Sequence, residues 1–226
     1  MNSEFRILNS EFPALCAILD AESAERAGWP ILDLAAAYLR GGARFLQLRA
    51  KTMAGDRFLA TACAVVQLAH RHDARVVIND RADIARLSGA DGVHVGQDDL
   101  SPVAVRALVG AAATLGLSTH TAEQVDRAVL EPVSYVAIGP VFGTTTKTTG
   151  YERVGLAMVR DAAGRARAHG LPLVAIGGVT LDNASSVLDA GAASVAVISD
   201  LVATGDPEAR VRAYLERLSR SESPRV

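Results

Sequence analysis

With 226 residues the chain is long enough to bury about 70% of the surface it exposes unfolded, and a single α/β barrel is commonly this size. Its 23 Lys plus Arg nearly balance its 25 Asp plus Glu, so no overall field favours nucleic acid or an anionic membrane, and a small, locally recognised ligand is expected instead. No apolar run reaches the roughly eighteen residues of a membrane helix and no basic-then-apolar leader opens the chain, which predicts a cytoplasmic protein; Cys16 and Cys63, in apolar surroundings, read as reduced, buried thiols without metal or redox spacing.

Residues 1–12 contain Asn-Ser-Glu-Phe twice, at 2–5 and 9–12, and are read as a disordered leader or a cloning remnant. Residues 13–219 are read as one domain and 220–226 as a frayed polar tail. Within the domain, apolar runs predict strands at 14–19, 44–49, 75–79, 92–95, 114–118, 135–139, 172–177 and 194–199. Helical periodicity falls at 31–40, 56–72, 82–88, 102–109, 122–130, 156–169, 181–189 and 207–218. Eight strands, each followed by a helix, predict an α/β chain folded as a single (β/α)8 TIM barrel. An internal echo agrees: Gly42-Ala43, Gly89-Ala90 and Gly191-Ala192 each lead from a helix end into a strand. A doubly wound open sheet shares the alternation, but its Gly-x-Gly-x-x-Gly turn is missing from the sequence.

In such a barrel the chemistry gathers where the strands end. The second strand places Gln47, Arg49 and Lys51 on one face, an arrangement that suits a charged ligand near the mouth better than a strand that frays early into solvent. The third and fourth strands stop at Asn79-Asp80 and at Gly96-Gln97-Asp98-Asp99. Parallel neighbours lie about 4.8 Å apart, so Asp80 and the Asp98-Asp99 pair can share one hard cation; alternatively, Asp80 and Asp98 cap the helices that follow. Magnesium takes one or two carboxylates together with phosphate oxygens, so a cation here implies a phosphorylated ligand. His94, within the fourth strand, reads as a packed residue. The fifth strand ends at Ser118 and runs through Thr119-His120-Thr121, a hydroxyl-rich stretch that also suits a helix cap. After the sixth, Gly139-Pro140-Val141-Phe142 opens a loop in which Thr144, Thr145, Thr146 and Lys147 offer hydroxyls and a charge to phosphate. Gly177-Gly178 and Ile198-Ser199 end the last two strands, where barrels often hold a phosphate.

Gln47-Leu48-Arg49-Ala50-Lys51, Ile78-Asn79-Asp80, the run from Gly92 to Asp99, Gly116-Leu117-Ser118, Gly139-Pro140-Val141-Phe142 with Thr144-Thr145-Thr146-Lys147, Ala175-Ile176-Gly177-Gly178-Val179 and Val197-Ile198-Ser199 together resemble the thiamine phosphate synthase family, in order and with compatible spacing. The resemblance implies a magnesium-dependent transferase that joins 4-amino-2-methyl-5-pyrimidinylmethyl diphosphate to 4-methyl-5-(2-phosphoethyl)thiazole, giving thiamine phosphate and diphosphate. It implies Asp80 and Asp99 as magnesium ligands. Gln47, Arg49, Lys51, Asn79, Ser118 and Lys147 would bind the pyrimidine diphosphate, with Arg49, Lys51 and Lys147 stabilising the leaving group. Thr144, Thr145, Thr146, Gly178, Ile198 and Ser199 would bind the thiazole phosphate.

Two positions depart from the family pattern: Ala50 stands where a glutamate is common, on the face turned away from the mouth, and Gly143 where a proline commonly precedes the threonines. Two other readings share the barrel. A thiazole tautomerase would use a histidine near Ser118-Thr119-His120 as acid or base and needs neither acidic pair nor diphosphate site. A non-catalytic barrel binding thiamine precursors would have no use for the metal ligands and cations together. The expected partners are small phosphorylated molecules, not nucleic acid or membrane, with a homo-oligomer left open.

Overall fold

Strands apolar on both faces need cover on both, and closure of the sheet supplies it: one face turns to the barrel interior, the other to the helices. In the computed structural model, which describes residues 12–143 and 152–219, β1 (Leu15–Asp20), β2 (Phe45–Arg49), β3 (Arg75–Asn79), β4 (Gly92–Val95), β5 (Thr114–Thr119), β6 (Tyr135–Ile138), β7 (Leu173–Ile176) and β8 (Ser194–Val197) pair in chain order, all parallel, and β8 returns to β1. Around them lie α1 (Ala21–Arg26), α2 (Ile31–Arg40), α3 (Gly55–His70), α4 (Ala82–Ser88), α5 (Pro102–Val109), α6 (Ala122–Ala128), α7 (Gly155–Ala168), α8 (Ala184–Asp189) and α9 (Pro207–Ser219). The predicted (β/α)8 barrel is the observed fold. Gly42, Gly89 and Gly191, the echoed residues, all have positive φ, and Gly89 closes α4 in the left-handed conformation.

The core has two parts. Most of it lies between strands and helices; a smaller cluster, including Cys16, Ile18, Val77, Ala137, Val174 and Ala196, fills the barrel itself. At the floor Phe12, Phe45 and Tyr135 meet with ring centroids 5.2–6.0 Å apart. Phe12, assigned by sequence to the leader, is buried against the barrel floor.

Two further expectations need correction. Cys63 is exposed: the buried stripe of α3 runs through Phe58, Ala62, Val65, Val66 and Ala69, and position 63 falls off it, whereas Cys16 points into the barrel and is buried as expected. Neither α1 nor the 3-10 turn Ser199–Leu201 that follows β8 is among the elements expected from sequence. Among the described residues no helix is long and apolar enough to cross a membrane.

Candidate active site

Over β1–β4 the mouth is ionic. Asp20, the last residue of β1, is in register with Arg49, the last of β2, and is 2% exposed. Its carboxylate accepts from the Arg49 guanidinium and, at 2.9 Å, from the Ser23 amide, so it both caps α1 and neutralises the arginine. Burial pushes the Asp20 carboxyl up, but the Ser23 and Arg49 contacts outweigh it and leave the group below its ordinary 3.8. Glu22 stands 3.6 Å from Arg49 and accepts from the Thr52 amide at 3.0 Å, tying the loop after β2 to α1.

One strand further on, Lys51 pairs with Asp80. Asp80 occupies the left-handed region at φ +64°, and its amide donates to the His94 carbonyl at 2.7 Å. The N-cap of α4 is Arg81, with no side-chain bond, so Asp80 does not cap that helix. Burial raises the Asp80 pKa, Lys51 draws it back, and the neighbouring Asp99 carboxylate raises it again by charge and by hydrogen bonding. Asp99 in turn accepts from the Gly96 amide at 2.7 Å. Two acids on adjacent strand ends thus face each other, as the sequence led us to expect.

Over β5–β8 the mouth is concave. A cavity of about 350 Å³ is lined by Gln47, His94, Ser118 and Tyr135 from within the barrel, and by Gly177, Gly178, Ile198 and Ser199 from the last two strand ends. Gly177 and Gly178 have φ of +99° and +66°. A Cβ on Gly178 would meet the Gly143 carbonyl at 2.5 Å, so the loops after β6 and β7 touch backbone to backbone. The Val141 and Phe142 amides extend that contact, donating to the Ile176 and Gly177 carbonyls at 2.9 Å. Asn183 holds the loop after β7, accepting from the Thr180 amide at 2.8 Å and donating to the Gly178 carbonyl at 3.0 Å. Asp200 joins this loop to the rest of the rim, accepting from the Leu181 amide at 3.1 Å and from Arg210 and Tyr214 of α9.

The site residues expected from sequence therefore fall into two adjoining groups. Arg49, Lys51, Asn79, Asp80 and Asp99 stand at the ends of β2–β4 or just beyond them, and Gln47, Ser118, Gly178, Ile198 and Ser199 line the cavity. Thr144, Thr145, Thr146 and Lys147 lie outside the described residues. Sequence reasoning misses Asp20 and Glu22, because it ends the first strand at Leu19, and it misses the part that Tyr135 and His94 play. His94 is packed, as expected, and it also hydrogen-bonds Tyr135 and Ser118.

Fold and site first define a class: a (β/α)8 barrel enzyme with an acidic pair and paired cations on one side of its mouth and a glycine-edged cup on the other. The sequence profile of one family, described as thiamine monophosphate synthase, matches residues 15–201. The chain belongs to this family, and with it to the transferases. Thiamine-phosphate synthases from Roseiflexus castenholzii and from Thermus thermophilus are each 42% identical to it, over 82% and 85% of this chain and 80% and 93% of theirs. The fold matches that of a thiamine phosphate pyrophosphorylase from Pyrococcus furiosus with a TM-score of 0.83, covering 93% of this chain and 98% of that one at 24% identity.

Proposed function

We propose that the chain is a thiamine phosphate synthase that joins 4-amino-2-methyl-5-pyrimidinylmethyl diphosphate to 4-methyl-5-(2-phosphoethyl)thiazole. The C–O bond to diphosphate breaks with its electron pair going to the leaving group, and the thiazole nitrogen forms the new C–N bond to the exocyclic carbon. The ring amino group stabilises the cation between these events, so no protein nucleophile is needed.

The charge balance of the ionic half supports this reading best. Two cations, Arg49 and Lys51, face four carboxylates, Asp20, Glu22, Asp80 and Asp99. Among the described residues this half alone would repel a diphosphate. A divalent cation held by Asp80 and Asp99 would cancel that excess of negative charge and relieve the repulsion that lifts the Asp80 pKa. The donor set fits magnesium: Asp80 and Asp99 offer carboxylate oxygens side by side, and magnesium is commonly held by one or two carboxylates with substrate phosphates completing its shell. Bound there, magnesium would supply positive charge opposite the leaving diphosphate.

The chain's own residues do the rest. Lys51 and Arg49 meet diphosphate oxygens, with Asp20 holding the Arg49 fork in place. Gln47, Asn79 and Ser118 orient the pyrimidine. Gly178, Ile198 and Ser199 receive the thiazole phosphate at the opposite rim, which brings the two reactants together and keeps water from the cation. On the strength of the sequence resemblance, Lys147 joins the diphosphate contacts and Thr144, Thr145 and Thr146 the thiazole phosphate contacts. The same reading makes this a cytoplasmic enzyme of small phosphorylated substrates.

The test is to mix the protein with both heterocycles and magnesium, follow diphosphate release and thiamine phosphate formation, and omit each component in turn. Equimolar products that vanish when any one component is left out are expected. Product formation in excess chelator would overturn the metal assignment, and absence of product from the complete mixture would overturn the reaction.

A further inference from the structure

At the bottom of the cavity four polar side chains from four strands form one chain of contacts. Tyr135 Oη lies 2.8 Å from His94 Nδ1, and His94 Nε2 lies 2.8 Å from Ser118 Oγ. The Gln47 carboxamide is also in hydrogen-bond contact with the Tyr135 hydroxyl. The two rings stack with centroids 5.5 Å apart. This needs space that the fold provides at one residue: a Cβ at Gly116, beside His94 in β5, would come within 2.1 Å of Tyr135 Cζ and 2.4 Å of His94 Nδ1. The Gln97 side chain holds the strand end itself, donating to the Ser118 carbonyl at 2.6 Å.

The direction of this chain follows from its buried end. Burial pushes the Tyr135 pKa well above its ordinary 10, so the phenol keeps its proton and has one hydrogen to give; in the direction inferred here the Gln47 carboxamide donates to the phenol oxygen. The Tyr135 hydrogen is then given to His94 Nδ1. A neutral imidazole accepting at Nδ1 carries its own hydrogen on Nε2 and donates it to Ser118 Oγ. With that oxygen already accepting, the Ser118 hydrogen is directed toward the cavity.

We propose that His94 and Tyr135 are positioning residues that fix Ser118 as a hydrogen-bond donor to a ring nitrogen of the bound aminopyrimidine. The inference rests on the reaction proposed above for the identity of the heterocycle, and on the geometry alone for the relay.

Two measurements test it separately. In histidine-labelled wild-type protein without substrate, 15N NMR, assigned with His94→Gln, should show His94 as the Nε2–H tautomer, and Tyr135→Phe should give a mixture of tautomers. An Nδ1–H tautomer in the wild type would overturn the relay whether or not the enzyme makes thiamine phosphate. In turnover, Tyr135→Phe should raise KM for the pyrimidine diphosphate about tenfold, the worth of one well-aimed hydrogen bond, with KM for the thiazole phosphate unchanged. Combined with Ser118→Ala it should add nothing to the loss from Ser118→Ala alone. Fully additive losses, or equal rises in both KM values, would mean that Tyr135 serves only packing and would overturn the proposal.

Discussion

Asp80 combines an awkward backbone with an awkward charge. A φ of +64° is disfavoured for most side chains, but asparagine tolerates it as well as aspartate does. Asp80→Asn is therefore a cleaner probe than Asp80→Ala, which would add backbone strain of about 1 kcal/mol. Because the folded pKa of Asp80 is raised, ionising it costs the fold stability as pH rises from 3.8 through the folded value. The asparagine variant escapes that cost, so without magnesium at neutral pH its melting temperature should equal or exceed that of the wild type. Turnover should nevertheless fall at least about a hundredfold, since it loses the charge that holds the cation. Asp20 behaves in the opposite way. Its folded pKa is lowered, so its contribution is complete above 3.8 and is lost as pH falls through the folded value. Asp20→Asn should cost about 2 kcal/mol at pH 7, because Arg49 is only 14% exposed and keeps only Glu22 at 3.6 Å. Urea titrations at pH 7 and at pH 3 should show the gap between variant and wild type narrowing at the lower pH.

Among the elements, the strands are legible because each is a short apolar run closed by glycine or a polar residue, and the glycines before several of them report helix ends. Where the reading falls short, the signal is weak or non-local. Helix α1 has six residues, of which only Ser23 and Ala24 are buried, too few to show a period. Asp20 looks like part of the connection after β1, and only its partner 29 residues on reveals what it does. His94 sits in a four-residue strand with partners 24 and 41 residues away, which spacing along the chain cannot disclose. The Asp80–Asp99 pair is legible for the opposite reason: adjacent parallel strands joined by one short helix fix their ends side by side. The glycine pair after β7 allows a prediction at this scale. Gly178→Ala adds a methyl at positive φ that would lie 2.5 Å from the Gly143 carbonyl and 2.7 Å from Phe142 Cβ. The loops after β6 and β7 must part, costing about 1–2 kcal/mol of stability. KM for the thiazole phosphate should rise about tenfold or more. KM for the pyrimidine diphosphate, bound across the mouth, should stay near the wild-type value; equal change in both would show that this rim does not divide the substrates as proposed.

For the molecule as a whole, closure of the sheet makes the two ends of the barrel unequal. One end carries the strand termini and their chemistry, while the other is stopped by aromatic rings, with Phe12 5% exposed against Phe45 and Tyr135. A closed sheet has no edge strand from which to unravel, and its interior cluster draws on β1, β2, β3, β6, β7 and β8, so loss of the stopper should be felt by the barrel as a unit. Phe12→Ala should lower stability by about 3 kcal/mol, the low end for deleting a buried phenylalanine, because Phe12 lies at the margin of the core. The urea midpoint should fall while the slope of the transition is kept, since the same surface is exposed on unfolding. The ionic half of the mouth, built on β1–β4 and braced by Asp20, Glu22 and Lys51, does not touch this ring, so the magnesium concentration giving half-maximal turnover should not change. A shallower transition, or a shifted magnesium requirement, would show that the floor and the mouth are coupled more tightly than their separate contacts imply.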